Sequence, residues 1–165
     1  LIDQMLINNA TGKEHLYTVQ EIVCNLANTA QNVMEPLLSI LPGGIGGYRK
    51  QWRINSGYRL KGVIPQETAT SDHCKGHCVD IGIMLPNRYQ STYDMIQKVE
   101  KIVPYDQLIL EYRFPESCWI HIGYRPDNSN RRMAFTMVND ATYKRDAKGW
   151  PSGFYLLDTI PPKKV

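Results

Sequence analysis

The stretch "TATSDHCKGHCVDIGI", Thr68 to Ile83, places two histidines, two cysteines and two aspartates between Ser71 and Asp80. Its second half alternates. Val79, Ile81 and Ile83 fall on one face of an extended chain, with Asp80 and Gly82 on the other. This predicts a strand that buries an apolar face and presents Asp80 on the opposite side. The ligand chemistry has more than one solution. A catalytic zinc takes three protein ligands and keeps a fourth position for water; His73, Asp80 and a distant histidine would supply them. A closed structural site would draw on His73, Cys74, His77 and Cys78, although chain neighbours such as His73 and Cys74 rarely point at one ion. A polar loop with two small packed cysteines needs no metal.

Upstream, Thr18 to about Leu38 reads as an amphipathic helix. Val19, Ile22, Val23, Leu26, Ala30, Val33, Met34 and Leu37 recur at three- and four-residue steps. Thr18 and Glu21 have the spacing of a capping box, and Pro36 and the glycines from Gly43 to Gly47 limit the helix. A strand is predicted over Gln51 to Asn55. Downstream, a second helix is predicted over Ser91 to Val103, with Tyr93, Ile96, Val99 and Val103 inward and Ser91 as cap. The segments "QLILEY" and "CWIHIGY" read as two strands around a short turn, with "RMAFTMV" continuing the meander. Helices first and antiparallel strands later define an α+β class.

The composition fits one domain over 1–165: 165 residues at 42% hydrophobic content supply one well-buried core. A net charge of +3, from 19 basic and 16 acidic residues, is too weak and dispersed for a nucleic-acid surface, yet compatible with an anionic polymer. No apolar run approaches the roughly 20 residues of a membrane span, and no signal-peptide pattern opens the chain. Residues 1–15 read as an N-terminal extension, and the opening Leu1 suggests a fragment of a larger protein.

Three motifs in order carry a resemblance. Ser71-x-His73-x-x-Gly76-x-Cys78-x-Asp80 resembles the Ser-x-His-x-x-Gly-x-Ala-x-Asp signature of the zinc D-alanyl-D-alanine carboxypeptidase family, with Cys78 where the family prefers alanine. That family includes vancomycin-resistance dipeptidases, phage endolysins and the Hedgehog signalling domain. "INSGYR", Ile54 to Arg59, looks like its Ser-Gly-Tyr-Arg segment, and "WIHIGYRP", Trp119 to Pro126, like its tryptophan-x-histidine strand. Together they cover about residues 19–132, and "YDQLILEY" followed by "WIHIGYR" is similar to the phage-borne branch of peptidoglycan peptidases.

The resemblance implies a single Hedgehog-like domain, an antiparallel sheet with helices packed on one side and a zinc cleft. It makes His73, Asp80 and His121 the zinc ligands and leaves Cys74 and Cys78 to pack. A general base is needed besides the metal. Many relatives place a glutamate three residues before the last histidine ligand, where this chain has Cys118. Glu111 and Glu116 compete for the role; Glu111 is favoured, because a hairpin centred near Glu116 would set it opposite His121. Arg59 is expected to bind a substrate carboxylate or the developing oxyanion. Ser71 either binds substrate or caps a turn, Tyr58 and Trp119 wall the site, and His77 stands at its rim. The implied activity is a D,D- or L,D-carboxypeptidase or endopeptidase acting on peptidoglycan stem peptides. It would be virion-associated, with other virion proteins as partners, or released to the bacterial wall or periplasm. The alternative is a zinc-binding module of a phage tail or a Hedgehog-like ligand without turnover. "RMAFTMV" and "GFYLLDTI" are expected to complete the sheet rather than form a docking surface.

Overall fold

Thr18 opens the first helix as its sequence predicts. Its side chain accepts from the Glu21 amide at 3.2 Å while the Glu21 carboxylate accepts from the Thr18 amide at 2.7 Å. Helix α1 (Val19–Thr29) passes through a π-helical turn, Ala30–Met34, into the short α2 (Glu35–Leu38). Pro36 explains the interruption: its ring would crowd the carbonyl four residues back, and the wider turn just before it, closed by Glu35 N–H to the Ala30 carbonyl, carries the chain on. The buried stripe is Ile22, Thr29, Val33 and Leu37. Val23 and Ala30, expected inward, are exposed; each follows a buried residue and so lies about 100° round the helix from the stripe.

The computed structural model describes residues 17–59, 71–113, 117–127, 129–138, 153, 154 and 156. Five strands form one sheet: β1 (Trp52–Ser56), β2 (Cys78–Ile83), β3 (Gln107–Arg113), β4 (Ser117–Gly123) and β5 (Met133–Val138), in the order β1-β2-β4-β3-β5. Between β1 and β2 lies a single helical turn, α3 (Asp72–Lys75), and between β2 and β3 the helix α4 (Arg88–Ile102). This helix starts before the predicted Ser91, with Asn87 at the cap position; Ser91 instead donates to the Pro86 carbonyl at 2.9 Å. Val33 and Leu37, Ile96 and Val99 from α4, and Val79, Ile81, Leu108, Leu110, Ile120 and Ile122 from the sheet join in one core. One sheet face is therefore apolar and covered by helices, and Asp80 stands on the other.

The sheet is mixed, which corrects the antiparallel expectation. β1 with β2, β2 with β4 and β3 with β4 pair antiparallel, whereas β5 pairs parallel with β3, from Gln107 opposite Met133 to Tyr112 opposite Val138. Asp106 shows why the predicted meander gives way. It is fully buried at the start of β3, where it accepts from the Arg131 backbone and guanidinium and from Arg125 Nε at 3.1 Å. The chain leaving β4 is thus drawn across the end of β3, and Met133 N–H bonds the Asp106 carbonyl at 2.9 Å. β5 then runs alongside β3 in the same direction. Of "GFYLLDTI", Gly153 bridges to Phe135; Tyr155 and the residues after Leu156 lie outside the described residues.

Desolvation raises the Asp106 pKa, but the hydrogen bonds from Arg131 and the charge of Arg125 outweigh it, and the carboxyl sits below its ordinary 3.8. Its stabilisation is therefore complete above about pH 4 and is lost as pH falls through the depressed folded value. Asp106→Asn is expected to cost about 1.5–3 kcal/mol at neutral pH. The lower end is favoured because the Arg125 and Arg131 side chains are 34% and 44% exposed and screened by solvent. Urea unfolding of both proteins across pH 2–7 checks this, and a gap between them that does not narrow in acid contradicts it.

Candidate metal centre

His73 lies in α3, a turn too short to hold itself. Helix α1 clamps it: Asn25 Nδ2 donates to the Lys75 carbonyl at 2.9 Å and Thr29 Oγ1 to the Gly76 carbonyl at 3.1 Å. Gly76 ends the turn at φ 73°, and a Cβ there would meet the Ile22 carbonyl oxygen at 3.0 Å. Both facts call for glycine. On the other side, the register of β1 shifts between Ile54 and Ser56, so that Ser56 stands opposite Asp80. The Gly57 carbonyl that follows lies 2.6 Å from His73 Nδ1. A carbonyl only accepts, so Nδ1 carries the hydrogen and Nε2 is turned toward Asp80, 3.2 Å from Oδ2. Two acceptors that close need a cation between them, either a proton on the imidazole or a metal.

His121 meets the other oxygen of the same carboxylate. Asp80 and His121 are directly opposite in the β2–β4 pair, and His121 Nδ1 is 2.9 Å from Asp80 Oδ1. The two imidazoles cross edge to face with centroids 5.2 Å apart. His73, Asp80 and His121 are 3%, 6% and 7% exposed, so water cannot solvate the charge and the partners must. Burial raises the Asp80 pKa, but hydrogen bonds from His121 and His73 outweigh it and hold the carboxyl far below its usual range. Desolvation lowers His121 while its bond to Asp80 raises it, and the net shift is upward.

Glu111 reaches the same place by a different register from the one expected. It stands opposite Trp119, and Ile109 stands opposite His121, a two-residue slip. Because the strand period is two, the slip preserves the face, and the long side chain brings Oε1 to 3.9 Å from His121 Nδ1. Burial pushes the Glu111 pKa up to about 7, with Asp80 adding to the rise and His121, His73 and Arg59 opposing it. The Arg59 charge therefore acts on this carboxylate, and Arg59 N–H bonds the His73 carbonyl at 3.2 Å. Tyr58 and Trp119 are half-buried. Ser71 occupies the cap position of α3 without a side-chain capping bond. His77 is half-buried with its ring 6.3 Å from that of Tyr17. Glu116 lies outside the described residues.

Cys118 faces the core instead. It pairs with Tyr112, and its Sγ donates to Thr92 Oγ1 of α4 at 3.2 Å. A glutamate at that position of this strand would point away from His121. Among the described residues, two donor groups could hold a metal ion: Asp80, Glu111 and His121, and His73, Cys78 and His121, the donor atoms within each lying within 4.8 Å of one another. Cys78, set aside in the sequence, is in the second. A signal was available: Cys78 precedes Asp80 by two residues, so the alternation that puts Asp80 on the polar face puts Cys78 there too. The Gly57 carbonyl had no comparable signal, since its position depends on the irregularity in β1.

Comparison of the chain with protein-family models, curated proteins and solved structures returned no match.

If His73, Asp80 and His121 hold the ion, alanine at any of them should lower zinc affinity by more than the 10–100-fold that follows loss of a mere supporting partner. Metal content after dialysis, read by inductively coupled plasma mass spectrometry, checks this. Full retention in all three variants contradicts the assignment.

Proposed function

We propose that this chain is a zinc-dependent peptidase that hydrolyses peptide bonds in D-amino-acid-containing stem peptides of bacterial peptidoglycan. The observation that carries the reading is one buried carboxylate, Asp80, meeting His73 Nε2 at 3.2 Å and His121 Nδ1 at 2.9 Å, with Glu111 beside them. These residues stand in the order of the carboxypeptidase-like motifs, and the α+β sheet with helices over its apolar face is compatible with a Hedgehog-like fold. The donor set of imidazole and carboxylate suits zinc, and the His73 hydrogen bond to Gly57 is the kind of outer contact that fixes the tautomer of a ligating histidine. Zinc bound there would polarise the scissile carbonyl and lower the pKa of a water to about 7.

The chain's own groups do the rest. Glu111 accepts the water proton and delivers it to the departing amine; burial, which raises this carboxyl, makes it a stronger proton acceptor than a solvated glutamate. Arg59 offers paired donors to a substrate carboxylate or to the oxyanion that forms on the attacked carbonyl. Trp119, opposite Glu111, and Tyr58 border the site, and Ser71 offers a hydroxyl to the substrate. A phage endolysin or a virion tail-associated enzyme is the setting that the motif resemblance favours, with other virion proteins as partners in the second case.

A second reading keeps the metal and drops turnover, as in a tail module or a Hedgehog-like ligand. The observation favouring it is Cys78, whose sulfur lies with His73 and His121 where a hydrolytic centre needs room for water.

Glu111→Gln preserves shape and removes the proton acceptor, so wall hydrolysis should fall roughly 10²–10⁴-fold with zinc retained; loss of zinc from this variant would instead make Glu111 a ligand beside Asp80 and His121. Mass analysis of the peptides released from purified peptidoglycan checks this. Robust cleavage by the variant would remove Glu111 from the mechanism, and no cleavage by the unaltered protein would favour the second reading.

A further inference from the structure

Cys78 lies beside the metal-site residues without a role in the chemistry proposed for them. It is fully buried, yet it is not on the face of β2 that builds the core: Val79, Ile81 and Ile83 point there, and Cys78 shares the opposite face with Asp80. Its partner across the β2–β4 pair is Gly123, which contributes no side chain, and His121 stands two residues along on the same strand and the same face. Its Sγ and one nitrogen each of His73 and His121 lie within 4.8 Å of one another. Two donors on one tetrahedral zinc, at bond lengths of about 2.0–2.3 Å, lie roughly 3.3–3.8 Å apart. The three donors therefore stand at most about 1–1.5 Å wider apart than bound ligands would.

We propose that the Cys78 thiolate is a ligand of the same ion as His73 and His121. This rests on the metal-centre reading above and extends it. On binding, the Sγ–H proton leaves to solvent and the sulfur lone pair forms the new bond, with no change of oxidation state. Two consequences follow from the donor chemistry. A site with one thiolate and two imidazoles selects a borderline or soft ion such as zinc and disfavours magnesium, calcium and manganese, which prefer oxygen donors. With Asp80 also bound, the four donors fill a tetrahedron. The thiolate then competes for the position that water needs, and hydrolysis requires either a fifth position or a turn of Cys78 away from the ion.

Cobalt(II) loaded into the full chain in place of zinc tests this without reference to activity. A thiolate ligand gives a sulfur-to-cobalt charge-transfer band in the near ultraviolet. The unaltered protein should bind one equivalent and show that band. Cys78→Ala and Cys78→Ser should still bind cobalt, as read from its visible absorption, lose the band, and bind about 10–100-fold more weakly or worse. Cys74→Ala, the neighbouring thiol, should keep it. Circular dichroism confirms that the variants are folded. A protein that binds cobalt without the band, or a band that survives in both Cys78 variants, overturns the proposal and leaves the metal reading standing. Failure of the unaltered protein to take up cobalt or zinc overturns both.

Discussion

A carboxylate buried on a β-strand is the constraint around which the rest of this structure is arranged. Asp80 is 6% exposed, and a lone charge at that depth costs several kcal/mol. The chain brings partners to it from two directions, His121 across the β2–β4 pair and His73 from the turn after β1, and the Gly57 carbonyl holds His73 in place. Each depends on something further away. The turn bearing His73 is clamped by Asn25 and Thr29 of α1, so the capping box at Thr18 and the π turn before Pro36 bear on the site through the position of that helix. The register of β2 is equally constrained. A slip of one residue would drive Asp80 into the core beside Ile96 and Val99 and turn Ile81 outward, so burial fixes the pairing that sets Asp80 opposite His121.

The far edge of the sheet serves the same centre. β5 covers β3, with Met137 opposite Glu111, so this glutamate sits on an interior strand and not on a solvated edge. That burial is the largest influence on its pKa. β5 reaches this place because Asp106 gathers Arg125 and Arg131 at the start of β3 and sends the chain parallel to it. An ion pair cluster at one end of the sheet therefore helps to set the protonation of a carboxyl nearer its middle.

Much of this was legible in the sequence. The alternation around Asp80 set its face correctly, the 3.6-residue stripe and the Thr18 cap located α1, and the apolar runs located β3 and β4. The parts that were not legible depend on contacts between segments distant in the chain. Pairing Glu111 with His121 required the turn between β3 and β4 to be centred correctly, and an error there shifts register by two residues for each residue of turn. The parallel placement of β5 is decided by Asp106 and two arginines, a tertiary contact with no periodic signal. Cys118 could be read only as a missing glutamate, because its direction follows from the strand's parity. Cys78 is legible by the same parity argument that locates Asp80, although the motif it resembles carries alanine at that position and so gives it no ligand role.

Crystals of the zinc-loaded protein, measured on both sides of the zinc absorption edge, would locate the ion. One anomalous peak is expected among His73 Nε2, Asp80 and His121 Nδ1, at about 2.0–2.2 Å from each donor. A peak elsewhere, or a fully ordered site without one, would contradict this assignment.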